Sequence, residues 1–148
     1  MSNCHLVILK KPYLDAIIAG RKTIEFRPTM TRRAPFGQIS TGDKLFLKQS
    51  SGPVVATAEV SKFKAFENLT ASKIDGIKRR YNQYILGSEE YWHSRAGCRF
   101  ALLVWLKNVR NIEPVKINKR DYRAWVVLTA DEDFGLPAFA HSRQVLGN

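Results

Sequence analysis

Cysteine is scarce in this chain, long apolar runs are missing, and basic residues outnumber acidic ones, 24 to 13. Each shortage excludes something. The two cysteines, Cys4 and Cys98, lie far apart and form no Cys-x-x-Cys pair, which rules out a disulfide framework and the common zinc spacings. Both fall in or beside strand-like segments, where a thiol behaves as a small buried hydrophobe. No stretch approaches the ~20 apolar residues of a spanning helix. The amino terminus, Met1 to Lys11, lacks the apolar run of a signal peptide, so a cytoplasmic setting without a membrane partner is expected. There is no His-Glu-x-x-His and no Gly-x-x-x-x-Gly-Lys-[Ser/Thr] phosphate loop. The three histidines, His5, His93 and His141, are scattered, and none has a nearby serine or cysteine arranged as a recognisable nucleophile pair. No metal or cofactor is therefore expected, and His5, on an apolar segment, reads as a core histidine.

What is present is a chain of 148 residues, enough for one domain with a real core. Its 45% hydrophobic and 25% charged content is ordinary for a folded protein. The charge balance is not: the net charge is +11 and the sequence pI is near 10.0. Such a surface favours polyanions, because each cation that neutralises a phosphate releases a condensed counterion. Nucleic acid is the expected partner class.

The pattern along the chain alternates strands with short helices. His5–Lys10 is apolar on both faces and reads as a buried strand. Pro12 suits a first helical turn, Tyr13, Leu14, Ile17 and Ile18 form an apolar stripe, and Gly20 is placed to cap it. A strand over Lys22–Arg27 follows, then a long loop, Pro28–Thr41, expected to be exposed and mobile, with Arg32 and Arg33 free of internal partners. Lys44–Gln49 and Val54–Phe63 read as a hairpin about Ser50-Ser51-Gly52. Thr70 caps a helix running to about Leu86, with Ile74, Ile77, Tyr81 and Ile85 inward. Ser88, Glu89 and Glu90 start a shorter helix around Tyr91 and Trp92. Arg99–Leu106 is apolar on both alternations and reads as a central strand; Asn108–Ile117 continues it after a bend, and Ala124–Leu128 closes the sheet. The domain is expected over residues 1–129, with 130–148 as a mobile tail.

The most informative stretch is Gly20-Arg21-Lys22-Thr23-Ile24-Glu25-Phe26-Arg27. The pattern Gly-x-Lys-x-x-Glu-x-Arg resembles the signature of the ASCH (activating-signal-cointegrator homology) domain family, part of the PUA-like superfamily of small RNA-associated barrels. Gly42-Asp43 before a strand is a second point of resemblance. The resemblance covers roughly Leu6 to Leu128. It implies an α+β fold, a PUA-like mixed β-pseudobarrel surrounded by short α-helices. It also implies RNA or other single-stranded nucleic acid as partner, with metal-independent ribonuclease activity as one chemistry. Another is removal of the acetyl group from N4-acetylcytidine by a lysine, a threonine and a distal glutamate. Lys22 matches that lysine, Glu25 stands at the threonine's position, and Asp75 is the acid available near Ile74–Arg80. A lower alternative is an adaptor that docks DNA or a partner protein.

The candidate catalytic group is Lys22, Glu25 and Arg27. In a regular strand Glu25 and Arg27 share a face and Lys22 opposes them, unless the chain is still turning at Lys22. A lysine beside an arginine has its charged form disfavoured and could act as base, with Glu25 as the competing base and Arg27 stabilising phosphorane charge. A Glu25–Arg27 ion pair across the barrel mouth is the structural alternative. Candidate nucleic-acid contacts are Arg21, Arg32, Arg33, Lys48, Arg79, Arg80, Arg120 and Arg123. Many of these are interleaved with Phe36, Tyr81, Tyr84, Tyr122 and Trp125, the mixture that holds single strands by charge and stacking.

Overall fold

Two long antiparallel strands carry the fold of the computed structural model, which describes residues 3–119, 121–128 and 134–136. The elements are β1 (Cys4–Leu9), α1 (Lys11–Ile18), β2 (Ile24–Thr29), β3 (Lys44–Gln49) and β4 (Val54–Phe66). They continue with α2 (Ala71–Ile85), α3 (Glu89–Ser94), β5 (Phe100–Val115) and β6 (Trp125–Leu128). One sheet runs β2-β5-β4-β3-β1-β6. β1 and β3 are parallel and the other pairs antiparallel. Register shifts in the β3–β4 and β4–β5 pairs mark irregularities or bulges, which bend and twist strands, and the sheet curls into a half-barrel. This is the expected α+β, PUA-like architecture.

Alternation along the strands divides the core. The inner face buries Val7, Leu9, Leu45, Leu47 and Val104, plugged by Leu14 and Ile17 of α1. Outside, α2 and α3 cover β2 and β5 through Ile74, Ile77, Ile85 and Trp92 against Ile24, Phe26 and Leu103. The outer side of β1, β3 and β6 carries Leu6, Phe46, Val126 and Leu128, on which Phe134 and Leu136 pack. Those last two residues fall within the expected tail; the rest of 130–148 lies outside the described residues, apart from Gly135 between them.

Helix ends follow their sequence signals. Thr70 Oγ1 accepts from Lys73 N–H at 3.2 Å and Ser88 Oγ from Tyr91 N–H at 3.0 Å, satisfying first-turn donors. Boundaries shift elsewhere. β2 begins at Ile24 rather than Lys22 and takes in Pro28 and Thr29, while β4 runs on to Phe66. The two segments expected after Arg99 are one strand, bent where Asn108 adopts φ +51. Among the described residues no helix is long and apolar enough to cross a membrane.

Asp43 and His5 pin the inner sheet. Asp43, fully buried, accepts from Asn3 N–H at 3.0 Å, Ser40 N–H at 2.9 Å and His5 Nε2 at 2.8 Å. Trp125 Nε1–H donates to His5 Nδ1 at 3.0 Å, so the imidazole proton must sit on Nε2. Burial pushes the His5 imidazole below its usual value, by more than the Asp43 hydrogen bond and charge raise it. Below about pH 6.5 the unfolded chain therefore binds a proton that the folded chain refuses. Thermal melts should show declining stability as pH falls through this range. Imidazole nitrogen NMR should find His5 neutral at pH 6; an imidazolium signal there would overturn the assignment.

Candidate functional site

The glycine that ends α1 places the motif. Gly20 has φ +81, and its N–H donates to Ile17 O at 3.0 Å while Arg21 N–H donates to Ala16 O at 2.9 Å, a Schellman closure. Lys22 N–H reaches the same Ala16 carbonyl at 3.1 Å, so the chain is still turning there. The turn frees Lys22 from strand parity, and it joins Glu25 and Arg27 on one side. Lys22 Nζ lies 3.1 Å from Glu25 Oε1, and Arg27 Nε donates to Glu25 Oε2 at 2.6 Å.

The three side chains form a buried network. Lys22 is 2% exposed and also donates to Ile24 O at 2.9 Å and Ile85 O at 2.6 Å. Its head group lies 5.4 Å from the centroid of the Tyr13 ring. Burial alone would push the Glu25 carboxyl up, but the charges of Arg27 and Lys22 and their hydrogen bonds hold it below its usual value. Arg27 extends to Ile8 O at 3.0 Å and Ala124 O at 3.2 Å and lies over the Trp125 ring at 5.3 Å. Since β2 and β6 are opposite edges of the sheet, this one guanidinium ties the two edges of the half-barrel together.

Around the network stand residues that sequence reasoning did not assign to a site. Tyr91 donates its hydroxyl to Phe26 O at 3.1 Å, and burial, followed by the Glu25 charge, raises its phenol so that it keeps that proton. Tyr13 lies 6.2 Å from Tyr91 between centroids, and the Arg95 guanidinium covers Tyr91 at 5.0 Å. Tyr13 and Tyr91 were visible as helix residues; Arg95 carried no signal of its own.

The other expected contacts are dispersed. Arg21 is exposed beside the turn. Arg32 is not free of partners: it pairs with Glu67 and lies over Phe36 at 4.6 Å and Phe100 at 5.9 Å. The loop carrying it is not wholly exposed either, since Pro35 and Ile39 are buried. Arg33 is exposed and reaches Thr31 Oγ1 at 3.4 Å. Lys48, expected as an open phosphate contact, is instead buried and donates to Gln49 O at 3.1 Å, with burial and then Lys119 pushing its pKa down. Arg79 pairs with Asp75 at 2.7 Å, Arg80 covers the Tyr81 ring at 5.3 Å, and Arg123 pairs with Asp121 at 2.8 Å. Arg120 lies outside the described residues. Among those described, no three His, Cys, Asp or Glu are grouped to hold a metal ion.

A model of the ASCH domain matches residues 7–125. The chain belongs to the ASCH domain family. Solved structures similar to it in fold include two from Zymomonas mobilis. ASCH from Zymomonas mobilis is 18% identical, with a TM-score of 0.70 covering 91% of this chain and 94% of that chain. A serine-to-alanine mutant of the Zymomonas mobilis protein is 19% identical, with a TM-score of 0.71 over 92% and 95%. No curated protein matches.

In this ASCH domain, Glu25→Gln would leave two inward-facing cations without their shared counter-charge. The expected cost is about 3–5 kcal/mol by denaturant titration, the range for breaking a buried pair. A loss within about 0.5 kcal/mol, as at ordinary surface positions, would show that the network does not hold the fold. Because the Glu25 pKa is lowered on folding, its contribution is present above the unfolded value near 4.5 and is lost as pH falls further. The acid sensitivity of Glu25→Gln below pH 4.5 should accordingly be weaker than that of wild type.

Proposed function

We propose that this ASCH-domain protein binds single-stranded RNA through its basic, aromatic-faced surface, with Lys22, Glu25 and Arg27 holding the mouth of the barrel. The observation that carries this reading is the placement of cationic head groups over rings. Arg32 covers Phe36, Arg80 covers Tyr81 and Arg95 covers Tyr91. A single strand offers phosphates to the cations and a π-face to each ring. Many acids that would screen this surface are already engaged: Asp15 by Lys11, Glu67 by Arg32, Asp75 by Arg79 and Glu89 by Lys78. The net charge of +11 is left largely to solvent and to partners. The choice of RNA within polyanions rests on fold-level analogy to the PUA-like superfamily.

Holding the barrel mouth fits the motif better than proton transfer does. A lysine head group has three donors, and those of Lys22 face two carbonyls and a carboxylate; shedding a proton would strand one of these acceptors. Glu25 has both oxygens engaged and a lowered pKa, a poor setting for a base. The amidohydrolase reading fares no better. Asp75 sits ten residues before Ile85, where Lys22 is anchored, which is about 15 Å along α2 at 1.5 Å per residue.

Fluorescence anisotropy with a labelled single-stranded RNA between about 50 and 200 mM salt should give affinity falling by a log–log slope of about 0.7 per phosphate contact. Undetectable or salt-independent binding would overturn the reading. The RNA should be recovered intact, with or without chelator, and N4-acetylcytidine unchanged. Turnover that follows the protein through purification would restore a hydrolase.

A further inference from the structure

The outer half of β4 is built differently from the inner half. Pairing between β3 and β4 ends at Glu59, so Lys62–Phe66 pairs with β5 alone among the described residues. By alternation Lys62, Lys64 and Phe66 share a face, opposite Trp105, Leu103 and Ala101 of β5. That face turns toward α2. Between them lies an open groove of about 350 Å³, lined among others by Lys64, Phe66, Lys73, Gly76, Arg80 and Tyr81.

The chemistry in and beside this groove repeats one unit. Lys62 Nζ lies 4.5 Å from the Trp105 centroid, Lys64 Nζ 5.3 Å from Phe66, and the Arg80 guanidinium 5.3 Å from Tyr81. Tyr81 and Trp105 meet edge to face at 5.7 Å, so the units adjoin. The four cations Lys62, Lys64, Lys73 and Arg80 are exposed, while the three rings are half-buried. Glu67, the acid in the lining, is held by Arg32. Stacking a base on an aromatic ring outweighs an exposed cation–π contact, so a base can displace a flexible lysine, which then meets the flanking phosphate.

Gly76 supplies an independent observation. It lies inside α2, where glycine is unfavourable, yet a Cβ built there meets nothing within 4 Å and its φ is not left-handed. Neither packing nor backbone geometry requires glycine at this place. What its missing side chain does is keep the groove wall open to a close approach.

We propose that the groove between Lys62–Phe66 and α2 is a binding track for single-stranded RNA, stacking bases on Phe66, Tyr81 and Trp105 and neutralising phosphates with Lys62, Lys64, Lys73 and Arg80. The track lies on the outer face, apart from the Lys22–Glu25–Arg27 network, and it rests on the RNA-binding reading above.

The decisive variant is Gly76→Leu, which leaves the charge unchanged and fills open space with a good helix former. Its affinity for a single-stranded RNA of about 12 nucleotides at about 100 mM salt should fall about tenfold, with the melting temperature retained or raised. Lys64→Ala with Arg80→Ala should make the salt slope shallower by about 1.4, about 0.7 for each of two phosphates. Lys107→Ala with Arg110→Ala, an equal charge change elsewhere on β5, should alter the slope less. Ultraviolet crosslinking of wild type should label Phe66, Tyr81 or Trp105. Wild-type binding with Gly76→Leu binding equally well would overturn the track alone. So would crosslinks confined to Tyr91 and Trp125, or a charge control as damaging as the groove variant. Failure of wild type to bind RNA at all would overturn both readings.

Discussion

The Glu25 carboxylate is the contact on which the rest of the architecture depends. Moving a charged head group out of water costs several kcal/mol even after relaxation, and here Lys22 and Arg27 both turn inward. One carboxylate, an oxygen for each, makes that tolerable. Through its two partners it reaches far along the chain. Lys22 binds the Ile85 carbonyl at the end of α2, and Arg27 binds carbonyls at Ile8 in β1 and Ala124 before β6. Helix, first strand and last strand are thereby referred to one point on β2.

Each position of the Gly-x-Lys-x-x-Glu-x-Arg pattern thus has a physical task. Gly20 supplies the positive φ that a Schellman closure needs. Lys22 satisfies a carbonyl at the C-terminus of α2, which has no intrahelical partner and carries the negative end of the helix dipole. Glu25 neutralises, and Arg27 spans the sheet edges with a planar fork that lysine could not reproduce. A signature of charged residues need not be a reaction centre. In this chain it explains how a curled sheet, whose edges would otherwise stand open, acquires a closed mouth.

Much of the fold was legible in the sequence because periodicity and caps are local. The β3 span, the Thr70 and Ser88 caps, the Gly20 stop and the buried His5 all came from neighbours within a few residues. What was not legible was set by distant partners. The continuation of β2 through Pro28 depends on β5 pairing, and the burial of Lys48 depends on what packs over the outer side of β1 and β3. Arg32 looked like a free loop cation because Glu67, which holds it, is 35 residues away. The motif was identified by pattern, yet its parity conflict could be resolved only by the Lys22–Ala16 hydrogen bond, which keeps the chain turning. Tyr91 and Arg95 reach the mouth only because α3 is folded back over β2.

The same contrast separates stability from recognition. Inside, the carboxylates are fully engaged: Glu25 by Lys22 and Arg27, and Asp43 by three donors. Outside, Lys62, Lys64 and Arg80 rest on rings instead of carboxylates. An ion pair with a carboxylate would have to be broken before a phosphate could take its place. A cation–π contact at an exposed site contributes only about 0.5–1 kcal/mol and yields readily. Cations parked on aromatic faces would therefore give up little on meeting a phosphate. The interior network cannot be exchanged in this way, since each of its members would leave a buried charge behind.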